Sequence, residues 1–366
     1  MNHTNAISEL RTYLKQWFFL NEPPKKFMEQ SLYKSLHEAV PTEIVYRLGE
    51  IVYQHITKEQ YQGKLEEYSL LYPRLYQFLH NALQKNAYER LFEPEMLVKL
   101  LSQEPRDTIE LSLEGEAYHI DGYSTLGVTR QKNQDYLNAF ELKNNIIVLM
   151  VADGMGGGEG GEIASKLVVD HVSHYLKAIT IEEHTIEEHL RTALFEAHQK
   201  ILTYAQEHHF KSMGTTLSMT LLFPNGELFI AHVGDSRIYE REQQGDIRQL
   251  SEDHSYPEVL FRLGKITKEE KKDYQKNIVV YILGKESLKK EEICVYKSYL
   301  YNETDLLLCS DGFWDMMHIH QTTFNQPFSD LKASIFKQVS YDNVSVLRYQ
   351  SKKNSINRKN KESKYE

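Results

Sequence analysis

Five aspartates stand where apolar runs begin or end. Asp153 closes IIVLMVAD and is followed at once by Gly154; Asp311 closes DLLLCSD and is followed by Gly312. Asp235 ends AHVGD, Asp342 precedes the short stretch NVSV, and Asp135 lies in RQKNQD. An apolar run feeding a carboxylate is the pattern of a buried strand that delivers an acid to a sheet edge. Carboxylates gathered at one edge repel each other unless cations neutralise them. Hard cations such as Mg2+ and Mn2+ take oxygen ligands, backbone carbonyls included. A glycine directly after an aspartate lets the chain turn and present its own carbonyl. Two such ions sharing one carboxylate are a common arrangement for hydrolysing phosphate esters. Taken singly, Asp-Gly is equally well a plain turn; its recurrence favours one shared acidic cluster.

The glycines after Asp153 admit a second chemistry. Gly156, Gly158 and Gly161 satisfy G-x-G-x-x-G, the pattern of a dinucleotide-binding turn. The match arises easily in so glycine-dense a stretch, and the alternating strand–helix context is missing. No Gly-Lys-Ser/Thr follows, which excludes a Walker-type loop. Cys294 and Cys309 form neither a disulfide framework nor a zinc site, and neither stands in a phosphate-cradling loop. His232 and His254 fall inside motif strings and read as packing or hydrogen-bonding residues. His318 and His320 have no further ligand nearby.

Hydrophobic period indicates the elements that must hold these residues. From about Leu111, AYHIDGYSTLGVT, YLNAFEL, NNIIVLMVAD, MGTTLSMTLLF, ELFIAHVGDSRIYERE, DIRQLSED, NIVVYIL, EICVYKSYL, DLLLCSD and NVSVLRYQ predict strands. GEIASKLVVDHVSHYLKAI, TIEEHLRTALFEAHQKILTYAQEHH and SDLKASIFKQVS predict helices. Strands in succession with helices grouped argue for an α+β domain and against a doubly wound nucleotide fold. The first hundred residues differ. Stretches such as SELRTYLKQWFFL and EIVYRLGEIVYQHI carry helical spacing, and only Gly49 and Gly63 precede residue 105. They predict a small all-helical module over residues 1–108, whose role as localisation domain, autoinhibitory cap or dimerisation element stays open. Residues 109–350 form the strand-rich domain, and residues 351–366 a basic, solvated tail.

The 366 residues carry a formal net charge of −9, which lacks the basic footprint of a nucleic-acid binder. MNHTNAISELRTYLK has no signal-peptide layout. The longest apolar run, Ile146–Ala152, is too short to span a bilayer. A cytoplasmic protein without membrane or nucleic-acid partners is the default, with secretion as an effector left open.

The motifs GVTRQKNQD (Gly127–Asp135), VADGMGGGEGGEIAS, MGTTLSMTLL, AHVGDSRIY, LSEDHS, LLLCSDGFWD and DNVSV occur in this order. Any one is weak; seven in order are specific. From about Tyr118 to Tyr349 the chain closely resembles the metal-dependent Ser/Thr protein phosphatases of the protein phosphatase 2C (PPM) type, bacterial branch. The resemblance implies a four-layer α/β/β/α sandwich with a metal cluster at one end. Asp153 resembles the bridging carboxylate, with the Gly154 carbonyl on one metal. Asp311 and Asp342 resemble the ligands that complete the other. Asp235 matches a position that, with Asp311, holds a weaker third metal in bacterial members. Asp135 is implied to contact the cluster directly or through water. Arg130 matches the arginine that grips the substrate phosphate, for which a guanidinium fork is suited. The implied cofactors are two Mg2+ or Mn2+ ions and a third at the weaker site. The implied nucleophile is a metal-bridging hydroxide attacking phosphorus in line, without a phosphoenzyme.

Four departures bear on this. Gln134 stands where many relatives have Glu. Met155 replaces a histidine that eukaryotic members carry, so leaving-group protonation falls to water. The segment between Asp311 and Asp342 is short and predicts a lost helix in the outer layer. Val280-Tyr281 replaces the family's Thr-Arg in the flap. The implied activity is a phosphatase acting on phosphoproteins, opposite a Ser/Thr kinase. A catalytically weak phosphoprotein-binding module of the same fold is one alternative, against which the acidic cluster counts. Hydrolysis of a small phosphorylated metabolite is another. The oligomeric state is not legible.

Overall fold

The structure is a computed structural model. It describes residues 108–352 except 128–129, 131, 156–159, 243–244, 275–277, 301–303, 318 and 338–341, together with 46, 49–50, 53–54, 60–63, 79 and 82–83. The helical module expected over residues 1–108 lies almost wholly outside the described residues, as does the tail from 353. Contacts divide the chain into two compact units: Met1–Asp107 with Leu126–Gln131 and Pro327–Asp342, and Thr108–Thr125 with Lys132–Gln326 and Asn343–Glu366.

The second unit holds the strands. In chain order they are β1 (Ile109–Glu114), β2 (Tyr118–Thr125), β3 (Tyr136–Leu142), β4 (Ile146–Ala152) and β5 (Gly154–Met155), then helices α1 (Gly161–Ala178) and α2 (Ile186–Glu207). There follow β6 (Gly214–Thr215), β7 (Leu217–Leu222), β8 (Glu227–Val233), β9 (Arg237–Arg241), β10 (Ile247–Gln249), α3 (Tyr256–Arg262), β11 (Cys294–Tyr299) and β12 (Asp305–Cys309). The helical turn α4 (Asp311–Trp314), the short helix α5 (Gln321–Asn325) and β13 (Val344–Ser351) complete it. One antiparallel sheet has the order β1-β2-β13-β12-β9-β10, another β11-β8-β7-β4-β3, and β5 and β6 form a small ribbon.

β4 explains why the sheets stack. It is buried along its whole length, and alternate side chains enter different cores. Ile147, Leu149 and Val151 pack with Ile120, Ile238, Leu308 and Leu347 between the two sheets. Val148, Met150 and Ala152 pack with Val168, Val172, Leu194 and Ala197 of α1 and α2. A strand covered on both faces reads as a continuous apolar run, which is what IIVLMVA is. On the opposite, outward face of the six-stranded sheet, Arg348 is buried and donates through Nη1 to the carbonyl of Gln326 at 2.7 Å. Arg241 lies over the Phe324 ring. The α/β/β/α sandwich is therefore formed, with a thin outer layer. Between Asp311 and Asp342 no helix of the described residues exceeds ten residues, in keeping with the short segment there.

In the first unit, Leu331 and Ile335 are buried on a helix at Phe328–Lys337, here α6. Gly49 lies against Ala82 and Leu83.

Four segments need correction. NIVVYIL is not a strand. Its backbone makes isolated bridges, Ser255 with Val279 and Thr215 with Leu283, and Ile278 is 47% exposed. IELSLE, unmarked by its period, forms β1, and SYPEVLFR supplies α3 with Pro257 near its start. ELFIAHVGDSRIYERE is not one strand but two, β8 and β9, lying in different sheets. The break falls at Gly234, whose φ is +111° and whose added Cβ would sit 2.4 Å from the Thr216 side chain.

Gly234→Ala should therefore cost well over the ~1 kcal/mol of an ordinary left-handed glycine. Gly264, with φ +66° and open space around it, provides the control. Denaturant unfolding of both alanine variants checks this, and equal losses would show that Gly234 is not sterically required.

Candidate metal centre

Side-chain-to-backbone hydrogen bonds fix the main chain at the strand ends. Asp153, one residue beyond β4, donates its N–H to Thr216 Oγ1 at 3.0 Å. Its carbonyl accepts from Thr216 N–H and from Thr215 Oγ1, both at 2.8 Å. Gly154 donates to the Gln134 carbonyl at 3.1 Å. A Cβ on Gly154 would fall 2.2 Å from the Gly161 carbonyl oxygen and 2.4 Å from that of Gln134. Close approach of three backbone segments, rather than flexibility, demands glycine here.

Gln134 links this corner to the next. Its carbonyl also accepts from Ser165 Oγ at 2.6 Å, and its N–H donates to Asn343 Oδ1 at 2.9 Å. Asn343 Nδ2 in turn donates to the Lys132 carbonyl at 3.1 Å. The neighbouring Asp135 is buried at the start of β3.

Asp235 lies two residues beyond β8, after Gly234, and is 4% exposed. Its Oδ1 is buried and has no hydrogen-bond partner. Burial, then the charges of Asp311 and Asp253, push its carboxyl up to about 7. Asp253 is occupied by Arg237, whose Nε and Nη2 reach it at 3.0 and 2.6 Å. Asp311 opens α4, and its carbonyl accepts from Asp315 N–H at 2.9 Å. His232 donates from Nε2 to the Gly234 carbonyl, and its Nδ1 meets Ser218 Oγ, both at 2.9 Å. Gly234 N–H donates to His254 Nδ1 at 3.1 Å. Both histidines thus grip the glycine that precedes Asp235.

In the other unit, Arg130 forks Asp342: Nε to Oδ1 at 2.7 Å and Nη2 to Oδ2 at 2.6 Å. This bidentate geometry is the one a guanidinium offers a phosphoryl group. The arginine side chain is 48% exposed.

The structure thus joins Asp153 and Gly154 to the Gln134–Asp135 loop, sets Asp235 within electrostatic reach of Asp311, and pairs Asp342 with Arg130. Among the described residues, no three His, Cys, Asp or Glu side chains converge into a metal-holding group. The donor set still fits a hard cation. It is all oxygen, and Asp235 offers a buried oxygen that lacks a partner.

Residues 127–346 match the sequence family described as protein phosphatase 2C. The chain belongs to the protein phosphatase 2C family. It is similar to the serine/threonine phosphatase stp of Listeria welshimeri, 35% identical over 241 residues, covering 63% of this chain and 94% of the relative. The solved structure of the Streptococcus agalactiae serine/threonine phosphatase matches with a TM-score of 0.59 at 28% identity, covering 64% of this chain and all of that one. A third likeness, with a TM-score of 0.54 and 25% identity over 65% of this chain and 99% of the other, is to the catalytic domain of the phosphatase PstP, solved with two manganese ions.

Sequence reasoning missed the supports of this family member's strand ends. Thr215, Thr216, Ser165 and Asn343 act through side chains that bind backbone. Trp314 donates from Nε1 to the Asp235 carbonyl at 3.0 Å. Its place in DGFWD, one helical turn after Asp311, was the available signal.

Two outcomes follow for this phosphatase 2C family chain. Asp235→Asn removes a buried charge that sits near two others, so in chelator it should raise stability by ~1–2 kcal/mol. Calorimetric melting with and without Mn2+ checks this; a lower melting temperature in chelator would contradict it. Burial lowers His232 to about 4 and His254 to about 2. Both titrate near 6.5 when unfolded, so the unfolded chain binds more protons as pH falls from about 6.5 to 4. Stability should fall over that window by up to ~1.4 kcal/mol per pH unit per histidine, and His254→Gln should flatten the fall in urea titrations at several pH values.

Proposed function

We propose that the chain is a metal-dependent protein serine/threonine phosphatase. The observation that carries the proposal is the match to protein phosphatase 2C over residues 127–346, a span that retains Arg130 and all six expected oxygen donors. The Asp153, Asp135, Asp235, Asp311 and Asp342 carboxylates and the Gly154 carbonyl would hold Mg2+ or Mn2+, two ions and a weaker third. When bound, such ions lower the pKa of water enough to supply a hydrolytic nucleophile at neutral pH.

The chain's own residues do the rest. Arg130, half exposed, forks Asp342 through Nε and Nη2; once released from that carboxylate by a cation and substrate, the same two donors would grip two phosphoryl oxygens and orient phosphorus for in-line attack. Thr215 and Thr216 hold the Asp153 main chain so that its carboxylate projects from a fixed point. Met155 stands beside Gly154 where a histidine would offer a proton, and in this proposal water protonates the leaving serine or threonine oxygen. Each turnover cleaves one P–O bond with water, releasing inorganic phosphate and the free hydroxyl.

Phosphoproteins are the substrates, and a Ser/Thr kinase supplies them. No helix among the described residues is long and apolar enough to cross a membrane; a cytoplasmic site of action suits such substrates.

Phosphate release from a phosphothreonine peptide should require added Mn2+ or Mg2+ and stop with chelator. Asp153→Ala and Asp342→Ala should each lower kcat by 100-fold or more, on the order seen when a metal site or a principal electrostatic stabiliser is lost. Robust turnover in Asp342→Ala would sink the metal assignment. An inert native protein that still captures the phosphopeptide would favour the binding-module alternative.

A further inference from the structure

Trp314 has no part in the phosphoryl chemistry above, yet three groups meet on it. Its indole Nε1–H donates to the Asp235 carbonyl at 3.0 Å. Its ring face carries the Arg237 guanidinium, 3.5 Å from the ring centroid. It is also the last residue of α4, the single helical turn that Asp311 opens. The side chain that holds the Asp235 main chain therefore rides on the turn that carries the Asp311 carboxylate.

Arg237 is itself fixed. It forks Asp253 through Nε and Nη2 and donates through Nη1 to the Tyr239 hydroxyl at 3.1 Å. Gln249 Nε2 steadies the same Asp253 carboxylate at 2.9 Å. The result is a short stack, Asp253–Arg237–Trp314, ending in a hydrogen bond to the residue that bears the partnerless buried oxygen. An indole suits this place because it joins a broad face for a guanidinium to an N–H donor at its edge.

We propose that Trp314 is a positioning residue that sets the Asp235 carboxylate relative to Asp311, and so sets the affinity of the weakest cation site. The proposal rests on the reading that Asp235 and Asp311 are oxygen ligands to one cation. Partners that orient a ligand from outside the coordination sphere commonly change metal affinity by about 10–100-fold when lost. Trp314 acts through the Asp235 backbone and through α4, which also carries Asp311; the tighter site completed by the Gly154 carbonyl should therefore not feel it, and the one completed by Asp311 and Asp342 should feel it less than the weakest site.

Isothermal calorimetry of Mn2+ into the full chain, without substrate or phosphate, reads this directly. Asp235→Asn should abolish the weakest site. Trp314→Phe keeps a ring under Arg237 and loses the N–H; it should weaken that site about 10-fold while the tighter site completed by the Gly154 carbonyl stays within about twofold of native. Trp314→Leu loses the stack as well and should weaken it further. Melting temperatures of each variant accompany the isotherms, and the phenylalanine variant carries the test if the leucine variant does not fold. Native affinity at the weakest site in the folded tryptophan variants overturns the positioning role. A uniform loss at every site overturns it too, since that marks a general loosening of the fold. If Asp235→Asn instead binds as the native chain does, the ligand role of Asp235 fails, and the proposal fails with it.

Discussion

Asp235 is buried with the charges of Asp311 and Asp253 in reach and one carboxylate oxygen left without a hydrogen bond, and its surroundings are organised by that cost. A desolvated carboxylate among like charges is unfavourable by several kcal/mol unless something opposes it. The protein opposes part of the cost at a distance. Arg237 neutralises Asp253, and Trp314 and His254 anchor the backbone on either side of the carboxylate. None of them donates to Oδ1. The arrangement holds an acid in place with one buried oxygen unsatisfied, which is the feature that supports the proposal of Asp235 as a ligand to a hard cation.

The sandwich supplies the rigidity this requires. β4 is packed on both faces, so the point at which Asp153 leaves the sheet is fixed from two sides. Buried hydroxyls then tie one strand end to another. Ser310 Oγ accepts from Ser345 N–H at 2.9 Å, Ser345 Oγ meets Ser124 Oγ at 2.7 Å, and Asn133 Nδ2 donates to Ser124 Oγ at 2.8 Å. The turn opened by Asp311, the start of β13 and the loop before Asp135 are joined through this chain of bonds. Satisfied polar networks in a low-dielectric interior rigidify what they connect.

Much of this was legible beforehand, and unevenly. YLNAFEL, IIVLMVA and LLLC became strands because their residues are apolar or β-branched and their neighbours in the fold are strands. The two long helices matched to within two residues because their apolar stripes face one sheet. NIVVYIL had the same composition as a strand and did not become one, because its pairing stops at isolated bridges with Ser255 and Thr215. The run from Glu227 to Glu242 looked continuous, yet a single glycine at +111° sends its halves into different sheets. The aspartates were visible as strand-end acids; the threonines, serines and asparagine that aim them were not, since their role lies in contacts between residues distant in sequence.

The sequence by itself determined the donor chemistry, the order of motifs and the apolar periods that dictate two stacked sheets and a helix pair. Those properties are local, carried by residue type and spacing. Only the tertiary structure decided that Asp235 is buried while Arg130 is half exposed, that Asp253 is neutralised by Arg237, and that Trp314 ties the Asp235 loop to the Asp311 turn. Burial and electrostatic coupling depend on which chain segments meet, and that is settled when the sheets close on each other.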